Sequence, residues 1–196
     1  MQKTLKIKVM KTIGLFVFSL MLIACQKQQT PIPEDSIFNM NAKWEQQNGK
    51  SLQLKDLQGK VMVTAMIFTS CKTACPRLTA EMRTISQKVG KVDPNKIRYV
   101  LISIDPETDT PSVMNSYLQA NGFNGEEWLF IRSNEENTRT LANMMAIKYK
   151  KITPMEFSHS NIISVYSKDG ILAYQKEGLN NDVEQTVENI KQQIKF

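Results

Sequence analysis

The sequence predicts an α/β fold, a mixed central sheet flanked by helices and opened by an extra N-terminal β-hairpin. Three observations predict it. Residues 61–68 are a continuous apolar run, the pattern of a strand buried on both faces, and residues 97–104 are a second buried strand. Each is followed by a segment with helical signals, so strand and helix alternate. Near the C-terminus, the turn Lys168-Asp169-Gly170 separates two further strands and supplies antiparallel pairing. The length of 196 residues suits one ordinary domain with a short appendage. A composition of 41% apolar residues with three Cys excludes both a disordered chain and a disulfide-dense mini-protein.

The elements follow in order. Asn48-Gly49, between Trp44 and the alternating Ser51-Leu52-Gln53-Leu54, is a hairpin signal because both turn residues tolerate positive φ. Gly59 introduces the strand at 61–68. After Cys75-Pro76, Leu78, Met82, Ile85 and Val89 recur at helical spacing and form one apolar stripe. The strand at 97–104 ends at Asp105-Pro106. A second helix has Thr110 as N-cap, Pro111 at its first position and Gly122 beyond its end. Residues 128–131 form a short strand, and Ser133-Asn134-Glu135-Glu136 is a capping box opening a third helix to about Lys148. Strands at 160–167 and 171–175 follow. A last helix from Asp182 carries Val183, Val187, Ile190 and Ile194 on one face. With right-handed crossovers, this order is consistent with a thioredoxin-like fold.

The first segment is an address. Residues 1–24 hold Lys3, Lys6, Lys8 and Lys11 with no acid, then an apolar run broken by Ser19, the layout of a secretory signal. The run is shorter than the ~20 apolar residues of a comfortable membrane span. It ends in Leu22-Ile23-Ala24-Cys25, which resembles the lipobox of bacterial lipoproteins and implies cleavage before an acylated Cys25. An uncleaved anchor with an incidental Cys is the alternative. Both alternatives place the remainder outside the cytoplasm, tethered to a membrane, on the periplasmic side in a Gram-negative cell. Residues 25–36, with Pro31 and Pro33 and few apolar side chains, are expected to be a flexible spacer, and residues 37–196 the folded domain.

Removing the signal alters the charge. The formal +6 comes from 25 basic and 19 acidic residues, and four of the lysines lie in the signal, leaving +2. Nucleic-acid binding needs clustered excess charge, so it is excluded as a function. Lys148, Lys150 and Lys151 are the one remaining cluster and are expected at the carbonyl end of the third helix. A single His excludes His-Glu-x-x-His proteases, and neither a glycine-rich phosphate loop nor a Gly-x-Ser-x-Gly elbow is present.

Two thiols remain, Cys71 and Cys75, in the connection between the first buried strand and its helix. In open α/β sheets that carboxyl edge is where ligands bind. Cys75 is expected near the helix N-terminus, whose partial positive charge favours thiolate. The Cys-x-x-x-Cys spacing is one residue longer than that of dithiol oxidoreductases, yet keeps both sulfurs within reach of one ion or each other. A structural disulfide is the plain alternative, although so short a loop constrains the unfolded chain little. The single imidazole, His159, precedes a strand expected to be central. Two thiolates and one imidazole suit Cu(I), hold Cu(II) with a further ligand, and also suit Zn(II). Met155, four residues before His159, is a further soft-ligand candidate against gap-filling as the default. Met144 and Met145 are expected in the core. Asp105 and Asp109 flank the same edge, where either is placed to orient a ligand or dock a partner, but Asp before Pro is mostly turn chemistry, and neither receives a catalytic role.

At this point the residues resemble a known family, the Sco/SenC proteins, which assist copper loading of respiratory oxidases. Phe68-Thr69-Ser70-Cys71-Lys72-Thr73-Ala74-Cys75-Pro76 is similar to the family's Phe-Thr-x-Cys-x-x-x-Cys-Pro. Ile102-Ser103-Ile104-Asp105-Pro106-Glu107-Thr108-Asp109-Thr110-Pro111 resembles its Ser-x-Asp-Pro-x-x-Asp-Thr-Pro stretch. Ser158-His159-Ser160, followed by a strand and Asp169-Gly170, is similar to its metal-binding His segment. The resemblance covers residues 38–196. It implies a thioredoxin-like fold, copper on Cys71, Cys75 and His159, and the copper-centre subunit of a respiratory oxidase as partner, with other copper or thiol-redox proteins beside it. Ser158 stands where many relatives have Asp, so the fourth Cu(II) ligand stays open, and Thr108 replaces an Arg common in the family.

The competing function is a thiol-disulfide oxidoreductase cycling Cys71 and Cys75 to reduce an acceptor's cysteines. A peroxidase is a weaker alternative, since Thr69 stands two positions before Cys71 where peroxiredoxins use Thr-x-x-Cys. A redox or copper sensor is a third.

Overall fold

The structure, a computed structural model, describes residues 31–153, 156–180 and 182–195. The expected signal at 1–24, Cys25, the first part of the spacer and Met155 lie outside the described residues. Residues Ile32–Phe196 form one compact unit. Ser36, expected in the spacer, is buried within it, its hydroxyl donating to the Asp169 carbonyl at 2.6 Å. Among the described residues, no helix is long and apolar enough to cross a membrane.

A hairpin comes first, β1 (Trp44–Gln46) and β2 (Ser51–Leu52), closed by Gly49 at φ 77°. It is followed by β3 (Val61–Ile67), α1 (Ala74–Val89), β4 (Ile97–Ser103), α2 (Pro111–Ala120), β5 (Trp128–Arg132) and α3 (Glu135–Met144). Next are β6 (Tyr149–Thr153), β7 (Glu156–His159), β8 (Ile162–Tyr166), β9 (Leu172–Glu177) and α4 (Glu184–Lys195). Seven strands form one sheet in the order β2-β1-β5-β4-β3-β8-β9. The central β5, β4 and β3 run parallel, while β8, β9 and β1 add antiparallel, giving the expected mixed sheet. Every residue of β3 is buried, as its unbroken apolar run requires. Leu78, Met82 and Ile85 bury one face of α1, and Val187 and Ile190 one face of α4. Lys176 on β9 and Glu81 on α1 form a buried ion pair at 2.9 Å.

Several expectations are corrected. The alternation at 51–54 is not one strand: Leu54–Leu57 is a 3-10 turn in which the Asp56 carboxylate accepts the Gln53 amide at 2.8 Å. The third helix is capped by Asn134, which accepts from the Asn137 amide at 2.8 Å, while the Ser133 hydroxyl donates to the Lys43 carbonyl. That helix stops at Met144. Ala146 takes a left-handed φ of 55°, and the amides of Ala146 and Ile147 return to the carbonyls of Asn143 and Ala142, a Schellman ending without its usual glycine. Lys150 and Lys151 consequently lie on β6, not at a helix end, and Met144 is exposed while Met145 is buried. The strand after His159, β8, is internal to the main sheet as expected, whereas β6 and β7 are an addition that the sequence does not signal. They form a separate two-stranded antiparallel sheet, so His159 ends a peripheral hairpin and is separated from β8 by Ser160 and Asn161.

Candidate metal centre

The first two functional side chains are delivered by the end of β3. Beyond Ile67 the chain turns, with the Cys71 amide donating to the Phe68 carbonyl at 3.3 Å, and α1 begins at Ala74. Cys75, the second helical residue, is fully buried, whereas Cys71 lies in the preceding loop and is partly exposed. The extra residue in the spacing therefore puts the two thiols in different surroundings. The Cys75 amide donates to Cys71 Sγ at 3.4 Å. Partial burial pushes the Cys71 thiol up, but the amides of Cys75, Thr73 and Ala74 and the Cys75 side chain outweigh it, leaving the thiol below its ordinary pKa. Burial pushes the Cys75 thiol up, and the neighbouring Cys71 and Asp109 add to the rise. The helix end thus favours the thiolate of Cys71, not of Cys75 as expected, because the orphan amides of the first turn point back toward the loop.

The imidazole comes from the peripheral hairpin. His159, paired with Tyr149 across β6 and β7, places Nε2 at 3.5 Å from Cys75 Sγ. Its Nδ1 lies 3.1 Å from the Ser160 carbonyl, which assigns the proton to Nδ1 and leaves the Nε2 lone pair facing the sulfur. Burial holds the His159 pKa below its usual value, against the Ser160 hydrogen bond, so the neutral ring is favoured. The ring of Phe68 bridges the two regions: it packs on Phe157 of β7 at 5.0 Å and lies edge-on to His159 at 6.1 Å. An open groove of about 570 Å³, lined by Phe68, Cys71, Lys72, Ile152, Phe157 and Ser158, exposes the Cys71 side of this cluster.

The donors suit a soft cation. Bonds of ~2.3 Å to sulfur and ~2.0 Å to nitrogen meeting at a tetrahedral angle separate the two donor atoms by ~3.5 Å, matching the 3.5 Å between Cys75 and His159. The arrangement is open. Cys75 neighbours both Cys71 and His159, but among the described residues no three His, Cys, Asp or Glu side chains already stand as a closed metal-holding group.

Sequence reasoning missed the support beneath the loop. Asp109 is fully buried, and its carboxylate accepts the Thr69 amide at 3.2 Å, the Thr69 hydroxyl at 2.5 Å and the Ser103 hydroxyl at 2.6 Å. Burial raises its pKa, although the Ser103 and Thr69 hydrogen bonds oppose the rise. The side chain of Asp109 carried no periodicity or spacing that marked it as buried. Phe157 was equally silent, since the hairpin that carries it was not anticipated.

A thioredoxin-like domain with two thiols at a helix start and an imidazole brought in by a separate hairpin defines the class. The SCO1/SenC family model matches residues 34–195, and the chain belongs to that family. The SCO1 protein homolog of Bacillus subtilis (strain 168) is 28% identical over 180 residues, covering 89% of this chain and 91% of that protein. Arabidopsis thaliana ScoI, solved with copper bound, superposes with a TM-score of 0.68 at 21% identity, covering 79% of this chain and 96% of that one. BsSco, described as a member of the Sco family of cytochrome c oxidase assembly proteins and as containing a disulfide switch, superposes with a TM-score of 0.67 at 23% identity, covering 87% and 99%. At these identities the solved structures establish the shared fold.

Proposed function

We propose that this chain is a membrane-tethered, extracytoplasmic metallochaperone that carries copper to the copper centre of a respiratory oxidase. The observation that carries this reading is the 3.5 Å approach of His159 Nε2 to the buried Cys75 sulfur, with Cys71 beside it at the groove. The copper bound in the Arabidopsis relative and the oxidase-assembly role named for BsSco support the metal and the acceptor. The lipobox-like Leu22-Ile23-Ala24-Cys25 supports the tether.

Copper is cargo in this reading. Cys71 and Cys75 as thiolates and His159 through Nε2 hold Cu(I), and Cu(II) takes a further ligand. Cys71, at the groove, is the ligand an acceptor reaches first. Transfer is ligand exchange: an acceptor donor joins the metal as a chaperone ligand leaves, and no electron changes hands.

A second reading, thiol-disulfide exchange, is favoured by the asymmetry of the thiols. The Cys71 thiolate attacks an acceptor disulfide, forming a mixed disulfide and releasing one acceptor thiolate. Cys75, losing its proton, then attacks the Cys71 sulfur, closing a Cys71–Cys75 disulfide and releasing the second acceptor thiol. Two electrons pass from the pair to the acceptor.

The test is titration of the reduced full-length chain, extracted in detergent, with Cu(I) and Cu(II). Cys71→Ser and Cys75→Ser are each expected to weaken Cu(I) binding at least ~100-fold, about 2.7 kcal/mol, and His159→Ala to weaken Cu(II) binding as strongly. Unchanged affinity in all three variants overturns the metallochaperone. Dithiol exchange that needs both Cys and survives His159→Ala, with no copper bound, establishes the second reading. Mass spectrometry of the same preparation tests the lipid: a processed chain beginning at acylated Cys25 supports it, and an intact residue 1 overturns it in favour of an uncleaved anchor.

A further inference from the structure

The Asp105 to Thr110 turn is not closed by the Asp109 side chain. Its own backbone closes it, with the amides of Thr108 and Asp109 donating to the Asp105 carbonyl at 3.1 and 2.9 Å. The hydroxyl of Thr110 then caps α2 by accepting from the Val113 amide. The Asp109 carboxylate is fully buried and accepts from Thr69 and Ser103, and the Ser103 hydroxyl in turn accepts the Asp105 amide at 3.1 Å, so the same carboxylate links its own turn to the Thr69 loop. Ser103 is the last residue of β4 and pairs with Ile67, the last residue of β3. Thr69 is two residues from each of Ile67 and Cys71.

We infer that Asp109 is a positioning residue for the metal centre: by clamping Thr69 to the end of β4, it fixes the turn that aims Cys71 at the first amides of α1. Three donors converge on one carboxylate, and hydrogen bonds to an ionised acceptor are about twice as strong as neutral ones. The Asp109 and Ser103 ends of the clamp are buried and Thr69 is partly exposed, so loss of the Thr69 hydroxyl leaves a buried carboxylate short of a donor. Downstream of Thr69, the Cys71 amide is bonded to the Phe68 carbonyl and the Cys71 sulfur receives the Cys75 amide. A turn freed at Thr69 loses the fixed distance between that sulfur and the helix end. The inference deepens the copper reading by naming what holds its exposed ligand in place.

The sign of the response separates positioning from simple electrostatics. Removing a negative charge near a thiol favours thiolate and speeds alkylation. Releasing Cys71 from the helix amides disfavours thiolate and slows it. The experiment is alkylation of Cys71 by iodoacetamide at pH 7 in the reduced full-length chain, followed by peptide mass spectrometry, which requires no copper. Asp109→Asn and Thr69→Val are each expected to slow the reaction about tenfold. The double variant is expected to be no slower than the slower single, because both act through one linkage, and Thr69→Ser, which retains the hydroxyl, to regain most of the rate lost in Thr69→Val. Faster alkylation in Asp109→Asn, or an unchanged rate in Thr69→Val, overturns the inference. If Asp109→Asn fails to fold, the Thr69→Val and Thr69→Ser pair carries the test. Copper affinity of Thr69→Val is measured in parallel. Slower alkylation in a chain that binds no copper upholds the clamp and counts against the metal reading alone.

Discussion

The two thiols and the imidazole are held by different kinds of structure. Cys71 and Cys75 sit where the central sheet meets α1, under the buried Asp109 clamp and on a helix tied to β9 by Glu81 and Lys176. His159 rides on β7, outside the seven-stranded sheet, docked through Phe157 on Phe68, while the Ser160 amide on the Lys148 carbonyl closes the base of the hairpin itself. One half of the site is part of the core and the other is laid against it. The rigid half fixes where the sulfurs are, and the docked half decides whether a nitrogen joins them.

The largest effect is expected on the rigid half. Glu81→Gln leaves the Lys176 ammonium buried without its counter-charge and is expected to cost about 3–5 kcal/mol in urea unfolding. The double variant Glu81→Leu with Lys176→Met is expected to recover most of that loss. If the single change costs under about 1 kcal/mol, the ion pair is not what fastens α1.

A smaller effect is expected on the docked half. Phe157→Ala removes a ring contact worth about 1 kcal/mol, and copper affinity is expected to fall about fivefold with far less change in unfolding free energy than Glu81→Gln gives. Equal losses of stability in the two variants erase the distinction between the halves.

The smallest expected effect is a pH dependence. His159 has a folded pKa below its usual value near 6.5, so the unfolded chain takes up the proton first as pH falls. Its stabilising contribution is full above that value and is lost as pH drops through the lowered one. The raised Asp109 carboxyl acts with the opposite sign at lower pH. Thermal unfolding between pH 7.5 and 5.5 should therefore decline in the parent chain and flatten in His159→Gln. A parallel decline in both chains removes His159 as its source.

Legibility in the sequence follows the same division. The strands of the central sheet were readable because burial on both faces leaves an unbroken apolar run, as at Val61–Ile67. Helix α2 was readable because Thr110 and Pro111 are strong local signals. Cys71, Cys75 and His159 were singled out by residue type, and the structure brings the three together. The β6–β7 hairpin was not readable. The two described positions of β6 that follow Lys151, Ile152 and Thr153, are exposed, so no apolar periodicity betrays the strand. The preceding helix, moreover, ends on Ala146 in a conformation that sequence normally advertises with glycine. The buried role of Asp109 was hidden for a related reason. Its partners are two hydroxyls and an amide distant in sequence or neutral in character, and no opposite charge points to it.

Gly170 carries a consequence for reach. At φ 76° it lies so close to the N-terminal segment that a Cβ there would collide with the Ser36 hydroxyl and the Phe38 ring. The turn it closes also takes the Gly59 amide, on the Lys168 carbonyl, at the start of β3. The incoming chain is therefore pinned at one edge of the sheet, while Cys71 lies beyond the other end of β3, a strand of seven residues or roughly 23 Å away. The described chain thus enters the fold at the end of β3 opposite the loop that carries Cys71, and the entry segment and the groove occupy different ends of the same strand.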